Sequence, residues 1–112
     1  MNNQIDYIEF KAHDLKKIKE FYSACFDWSF TDYGPDYTSF TDGRLNGGFE
    51  KTKESISNGA LVVLYQEDLE SSKMKIIDAG GIISMDIFSF PGGRRFHFKD
   101  PSGNELAVWS DK

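Results

Sequence analysis

The sequence predicts an α+β fold in which a module of one strand, one helix and three strands (βαβββ) occurs twice along a chain of 112 residues. In each half, a strand-like segment precedes an apolar stripe with helical spacing, and three short segments separated by turn sequences follow. An offset of 54 residues lays Asp14-Leu15 on Asp68-Leu69 and aligns the apolar positions of the two halves. We therefore expect two mixed sheets that form a curved trough, with the helices on the outside.

The first module is expected over residues 4–50. Ile8, Phe10 and Ala12 alternate with polar residues, which is the two-residue period of a strand. Asp14 is a candidate N-cap for a helix over residues 15–26, in which apolar residues recur every three or four positions. Three strands are then expected at Trp28 to Asp32, Tyr37 to Thr41 and Arg44 to Glu50.

The second module is expected over residues 60–110, after a polar linker at residues 51–59, so that residues 1–112 form one domain. Ala60 to Tyr65 is a β-branched and aromatic run, and Asp68 opens a helix that Gly80-Gly81 ends. The three strands that follow are expected at Ile82 to Phe88, Arg94 to Phe98 and Glu105 to Trp109.

Composition excludes several classes of function. The chain has 13 basic and 18 acidic residues and a net charge of −5, which disfavours a nucleic-acid partner. Its apolar runs are too short to span a membrane, and its start lacks the pattern of a signal peptide. Cys25 is the only cysteine, which rules out an intramolecular disulfide. We expect a cytoplasmic protein.

Strand parity separates the residues that face the trough from those that face the core. On the last-but-one strand, Arg95, His97 and Lys99 lie opposite the apolar Phe96 and Phe98. The first, fifth and last strands are expected to add Tyr7, Glu9, Lys11, Leu61, Val63, Tyr65, Glu105, Ala107 and Trp109 to the trough.

His97 is the candidate with the most versatile chemistry, because imidazole exchanges protons near neutral pH. We predict that Glu9 and Glu105 converge on it as catalytic partners, and that six residues contact a ligand. These are Tyr7, Leu61, Val63, Arg95, Ala107 and Trp109. Structural alternatives stay open, namely an ion pair of Glu9 with Arg44 or Arg95, a strand role for His97 and a solvated Arg94-Arg95 pair.

Several short motifs of the sequence resemble those of the vicinal oxygen chelate superfamily. This superfamily groups glyoxalase I, bleomycin- and fosfomycin-resistance proteins and extradiol dioxygenases. The motifs are Ile8-Glu9-Phe10 before Asp14-Leu15, Phe21-Tyr22 with Phe26-Asp27-Trp28, Gly47-Gly48-Phe49, and Phe96 to Asn104. The resemblance implies a glyoxalase-like fold and, from single-chain relatives of this size, a homodimer.

The resemblance also implies where a metal ion would bind. Metal-dependent members use a His, Glu or Gln at positions that fall on Tyr7, Leu61 and Ala107, none of which is a usual ligand. A fourth position lies near Asn46 to Glu50, where Glu50 alone would not hold a divalent ion. We predict no metal and no cofactor.

Three functions remain open. The first is a protein that binds a small organic molecule without a metal, and the second is a glyoxalase-type lyase or isomerase in which His97 and a carboxylate move a proton next to a carbonyl group. The third is an interaction module whose trough is filled by its own side chains. The sequence does not decide whether the protein is an enzyme.

Overall fold

The computed structural model describes residues 2, 3 and 5–112. Within that part of the chain, two helices and eight strands follow one another in the predicted order. They are β1 (Tyr7–Ala12), α1 (Leu15–Phe26), β2 (Ser29–Asp32), β3 (Tyr37–Thr41), β4 (Asn46–Lys51), β5 (Val62–Tyr65), α2 (Leu69–Asp78), β6 (Ile82–Phe90), β7 (Gly93–Lys99) and β8 (Glu105–Ser110).

The strands form two four-stranded mixed sheets with equivalent topology, β1-β4-β3-β2 and β5-β8-β7-β6. The β1–β4 and β5–β8 pairs are parallel, and the other pairs are antiparallel. The predicted α+β class with two βαβββ modules is confirmed.

Three strands begin one or two residues later than predicted, namely β2 at Ser29, β4 at Asn46 and β5 at Val62. Strand β4 starts at Asn46 and not at Arg44, because the Asp42 carboxylate accepts the backbone N–H groups of Arg44 and Leu45 at 2.8 and 2.6 Å. This side-chain turn holds both amides away from the sheet ladder.

The two modules repeat each other in their polar contacts as well as in their strands. Asp14 caps α1 by accepting from Lys17 N, and Asp68 caps α2 by accepting from Ser71 N. The ion pair Lys19–Asp32, at 3.0 Å, recurs 54 residues later as Lys73–Asp86, at 2.6 Å. In both modules, this pair ties the helix to the first strand after it.

The core lies between the helices and the inner faces of both sheets, and aromatic rings dominate it. The Trp28 indole is stacked between Tyr22, 4.5 Å away, and Phe40, 4.3 Å away, with 10° between ring planes in both pairs. Phe21 of α1 meets Phe98 of the second sheet at 6.0 Å. The two modules therefore share one core.

The loop at residues 100–104 also joins the modules. The buried Asp100 carboxylate accepts hydrogen bonds from Tyr22 Oη at 3.0 Å, from Ser102 N at 2.8 Å, and from the backbone and side-chain nitrogens of Asn104, both at 3.0 Å. Asn104 Nδ2 also donates to the Lys11 carbonyl in β1 at 2.7 Å. Burial nevertheless raises the pKa of Asp100 above its ordinary value.

Neither helix within the described residues is long and apolar enough to cross a membrane.

Candidate functional site

The second sheet presents one face away from the core, which we call its open face. Residues opposite one another in a ladder share a face, so Val63 with Ala107, Tyr65 with Trp109 and Arg95 with Trp109 belong together. Their chain neighbours Phe96, Phe98, Leu106 and Val108 are buried in the core. The open face comprises Val63, Tyr65, Arg95, His97, Glu105, Ala107 and Trp109.

His97 and Glu105 meet on the open face. His97 Nδ1 lies 3.4 Å from Glu105 Oε2, and Ser84 Oγ donates to the same carboxylate oxygen at 3.0 Å. His97 is 8% exposed, and its Nε2 atom is buried without a hydrogen-bond partner among the described residues. Glu105 can orient the imidazole through Nδ1, which leaves Nε2 as the ring nitrogen that makes no hydrogen bond within the described residues.

Glu9 belongs to a different cluster, on the first sheet. Its carboxylate lies 4.0 Å from Lys11 Nζ, and Lys11 is in turn hydrogen-bonded to Glu50. The structure therefore brings His97 and Glu105 together but places Glu9 apart from them. It also gives Glu9 an ion-pair partner on its own strand, in place of Arg44 or Arg95.

Two tyrosines complete the Glu9 cluster. The hydroxyls of Tyr7 and Tyr37 are hydrogen-bonded to each other. Burial, followed by the hydrogen bonds to Tyr7 and Glu9, raises the pKa of Tyr37. Gly48 makes room for this pair, since a Cβ atom on it would lie 2.5 Å from Tyr37 Cζ and 2.6 Å from Tyr7 Oη.

A cleft of about 470 Å³ lies between the two modules, next to the edge strand β5. Val63 and Trp109, two of the predicted ligand contacts, line it. The first module contributes residues that the sequence did not single out as contacts, among them Phe26, Trp28, Phe40, Arg44 and Leu45. The cleft thus joins the open face to the aromatic core.

The profile of the Glyoxalase/Bleomycin resistance protein/Dioxygenase superfamily matches residues 4–108. The chain belongs to this superfamily. No protein of curated function matches it by sequence.

Solved structures of the glyoxalase superfamily show the same fold. A family enzyme from Burkholderia phytofirmans superposes with a TM-score of 0.83 at 14% identity, covering 96% of this chain and 100% of that one. A glyoxalase-related enzyme from Fulvimarina pelagi gives 0.82 at 16% identity, with coverages of 96% and 88%. A mutant fosfomycin resistance protein from Listeria monocytogenes, complexed with Mn(II) and 1S,2S-dihydroxypropylphosphonic acid, gives 0.82 at 15% identity, with coverages of 98% and 91%.

The residues of this glyoxalase-superfamily chain do not fit a metal ion at the expected positions. Tyr7 is engaged with Tyr37, Leu61 and Ala107 carry no donor atom, and the Glu50 carboxylate is bonded to Lys11. Within residues 2, 3 and 5–112, no three His, Cys, Asp or Glu side chains are grouped to hold an ion. The metal-free prediction itself remains a prediction.

The remaining predicted contacts divide between the sheets. Leu61 precedes β5 and is exposed. Ala107 lies on the open face but is completely buried, so we expect the residues next to it on that face, rather than Ala107 itself, to contact a ligand. Arg95 lies over two aromatic rings of β6, Phe88 and Phe90. For the cleft residues that the sequence did not single out, the sequence contains one signal, the charged turn Asp42-Gly43-Arg44. Phe26 could not be recognised in the same way, because helical periodicity places it among the core residues of the first helix.

Proposed function

We propose that this protein binds a small organic molecule, without a metal ion, in the cleft between its modules. The observation that carries the proposal is that both tryptophans of the chain, Trp28 and Trp109, line this cleft. Its volume of about 470 Å³ falls within the range of roughly 300–1,000 Å³ typical of small-molecule sites. The mutant Listeria neighbour is complexed with a small phosphonic acid together with Mn(II), and the presence of a small organic ligand on that protein supports the proposal.

The two walls of the cleft would contribute differently. On the second module, Tyr65 and Trp109 are packed edge to face, 5.2 Å apart, and offer ring surface to a flat ligand. On the first module, Trp28 is only 6% exposed, so the edge of its indole contributes. Arg44 supplies a polar group in the cleft lining.

Tryptophan fluorescence tests the proposal directly, because both fluorophores lie in the cleft wall. Benzyl alcohol, benzoate and benzylamine serve as probes of neutral, anionic and cationic aromatic ligands. We expect a saturable change in emission with at least one probe, unaffected by EDTA. The Trp28→Phe and Trp109→Phe variants assign the change to one wall.

A matched pair of variants locates the binding. Val63→Phe enlarges a side chain in the cleft lining, whereas Ile82→Phe enlarges an exposed strand side chain outside it. The first change should weaken probe binding at least tenfold and the second should leave it unchanged. Equal losses, or no response to any probe, would favour the interaction module with a self-filled trough.

The His97–Glu105 contact favours a second candidate function, proton transfer next to a carbonyl group. In such a reaction His97 would take a proton from the carbon beside the carbonyl and Glu105 would orient the imidazole. We would follow deuterium incorporation into dihydroxyacetone in D₂O by NMR. Exchange that requires the protein and is lost in His97→Gln supports this function, and exchange that persists in the variant opposes it.

We also propose a homodimer in the cytoplasm. Outside the cleft lining, Leu61 and Met85 leave apolar side chains exposed on or beside the second sheet. Light scattering should give twice the chain mass of 12.8 kDa at micromolar concentration, and a monomer would contradict the proposal.

A further inference from the structure

Arg95 is held on the open face by aromatic rings. Its guanidinium carbon lies 5.2 Å from the centroid of Phe88 and 5.7 Å from that of Phe90. Its Nε atom is buried and has no hydrogen-bond acceptor among the described residues. An arginine Nε is an obligate donor, so burial without an acceptor costs free energy.

The neighbouring arginine, Arg94, has the carboxylate partner that Arg95 lacks in the described part of the chain. Arg94, on the other face of β7, binds both carboxylate oxygens of Glu70 at 2.6 and 3.2 Å. Acidic residues outnumber basic ones by 18 to 13, so carboxylates are abundant. Yet no carboxylate of the described residues lies within 4.0 Å of the Arg95 guanidinium.

A second unsatisfied nitrogen lies on the same strand and the same face. His97 is two residues from Arg95, and its side chain is nine-tenths buried with Nε2 unpartnered. The Phe88 ring is close to both side chains, since its centroid is 6.1 Å from the His97 ring. Two buried nitrogens without partners among the described residues therefore occur on the same face of β7, two residues apart.

The proposed cleft reaches this place through Trp109. Trp109 lines the cleft and stands directly opposite Arg95 in the β7–β8 ladder. The Phe90 ring, on which Arg95 rests, is 6.5 Å from the Trp109 ring. An aromatic body against Trp109 would bring a short polar substituent towards Arg95.

We propose that Arg95 is the anchor for an oxyanion group of the ligand, and that the ligand is a small aromatic organic acid. This inference rests on the proposed binding function. The fork of the guanidinium matches two oxygens of a carboxylate or phosphonate. His97 Nε2 provides a second hydrogen-bonding position for the same ligand.

The test compares benzoate, benzyl alcohol and inorganic phosphate on the intact protein, at an ionic strength held constant with sodium chloride. Tryptophan emission reports on the cleft, and the NMR shift of the Arg95 Nε–H group reports on the anchor. Benzoate should bind at least tenfold more tightly than benzyl alcohol and should shift the Arg95 resonance. Arg95→Gln should abolish this preference, whereas Arg94→Gln, the matched control, should change it less than twofold.

The outcomes separate this inference from the binding function. Equal affinities for benzoate and benzyl alcohol in the wild-type protein, or a benzoate preference that survives Arg95→Gln, overturn the anchor and leave the cleft. A phosphate-dependent shift of Arg95 without any tryptophan response supports an anion site but overturns cleft binding. If Arg95→Gln is not folded by circular dichroism, Arg95→Lys and the wild-type NMR titration decide, because loss of the fork should weaken benzoate binding several-fold.

Discussion

Gly48→Ala should destabilise the protein because the space beside Gly48 holds two phenol groups. An ideal Cβ atom there would lie 2.5 Å from Tyr37 Cζ and 2.6 Å from Tyr7 Oη, well inside contact distance. Both rings would have to turn away, which breaks the Tyr7–Tyr37 hydrogen bond and separates Tyr37 from Glu9.

The size of the effect follows from three contributions. Overpacking costs about 1–3 kcal/mol, and the lost hydrogen bond costs about 1 kcal/mol. The smaller entropy of the unfolded alanine chain offsets about 0.4–1 kcal/mol. We expect a net loss of about 2–3 kcal/mol, or a fall in Tm of about 10 °C for a domain of this size.

Urea and thermal unfolding measure this loss against Gly59→Ala, whose Cβ would meet no atom within 4 Å. Removing the obstructing ring should rescue the variant, so Tyr37→Ala and Gly48→Ala together should cost less than the sum of their separate effects. If Gly48→Ala is as stable as Gly59→Ala, or the two changes are simply additive, the phenol pair does not occupy that space.

Three further outcomes are expected. Burial raises the pKa of Cys25 to about 11, so about one thiol in ten thousand is ionised at pH 7. A disulfide-exchange reagent should therefore label Cys25 only after unfolding, and rapid labelling of the native protein would contradict this. Hydrogen bonds from Lys19 and Lys73 lower the pKa values of Asp32 and Asp86, respectively, below the ordinary 3.8. The stability that these ion pairs contribute is therefore present above pH 3.8 and is lost as the pH falls through the lowered pKa values. Thermal unfolding from pH 7 to 3 should therefore show a smaller acid-induced fall in Tm for Asp32→Asn with Asp86→Asn than for the wild type, and equal falls would refute the assignment. Phe96→Ala should cost about 3–5 kcal/mol in urea unfolding because Phe96 is completely buried, and a loss below about 1 kcal/mol would show that it does not pack in the core.

Periodicity was sufficient to predict the modules because it reflects which residues face the core. The caps Asp14 and Asp68 and the helix over residues 15–26 stand where the pattern placed them. The repeated ion pair of Lys19–Asp32 and Lys73–Asp86 was also within reach of the sequence, since it follows from the same offset of 54 residues.

The site was harder to predict because parity assigns a face of a strand but not the distance between two sheets. Parity correctly placed His97 and Glu105 on one face, where adjacent strands bring them within 3.4 Å. Parity could not show that Glu9, on the other sheet, would form an ion pair with Lys11 and a hydrogen bond with Tyr37. The cleft depends on how β5 lies beside the first module, which is a tertiary relation that no local pattern records.

The equivalent positions of the two modules carry different chemistry. In the first sheet, Lys11 stands opposite Glu50, and Tyr37 is the next partner across the ladder. In the second sheet, the corresponding ladder positions hold Tyr65, Trp109 and Arg95. The Lys11–Glu50 ion pair and the Tyr37 phenol of the first module are thus replaced in the second module by two aromatic rings, Tyr65 and Trp109, and the Arg95 cation.

Side-chain size at one further position explains why the replacement matters. Gly48 in the first sheet corresponds to Ala107 in the second. Without a Cβ at Gly48, Tyr37 can lie across β4 and be satisfied by Tyr7 and Glu9. Arg95 lies instead over Phe88 and Phe90, where its Nε finds no acceptor in the described part of the chain. Among the described residues, no buried polar side-chain atom of the first module lacks a hydrogen-bond partner, whereas the second module leaves the Arg95 donor for a ligand. We therefore expect the second module to determine which ligand binds.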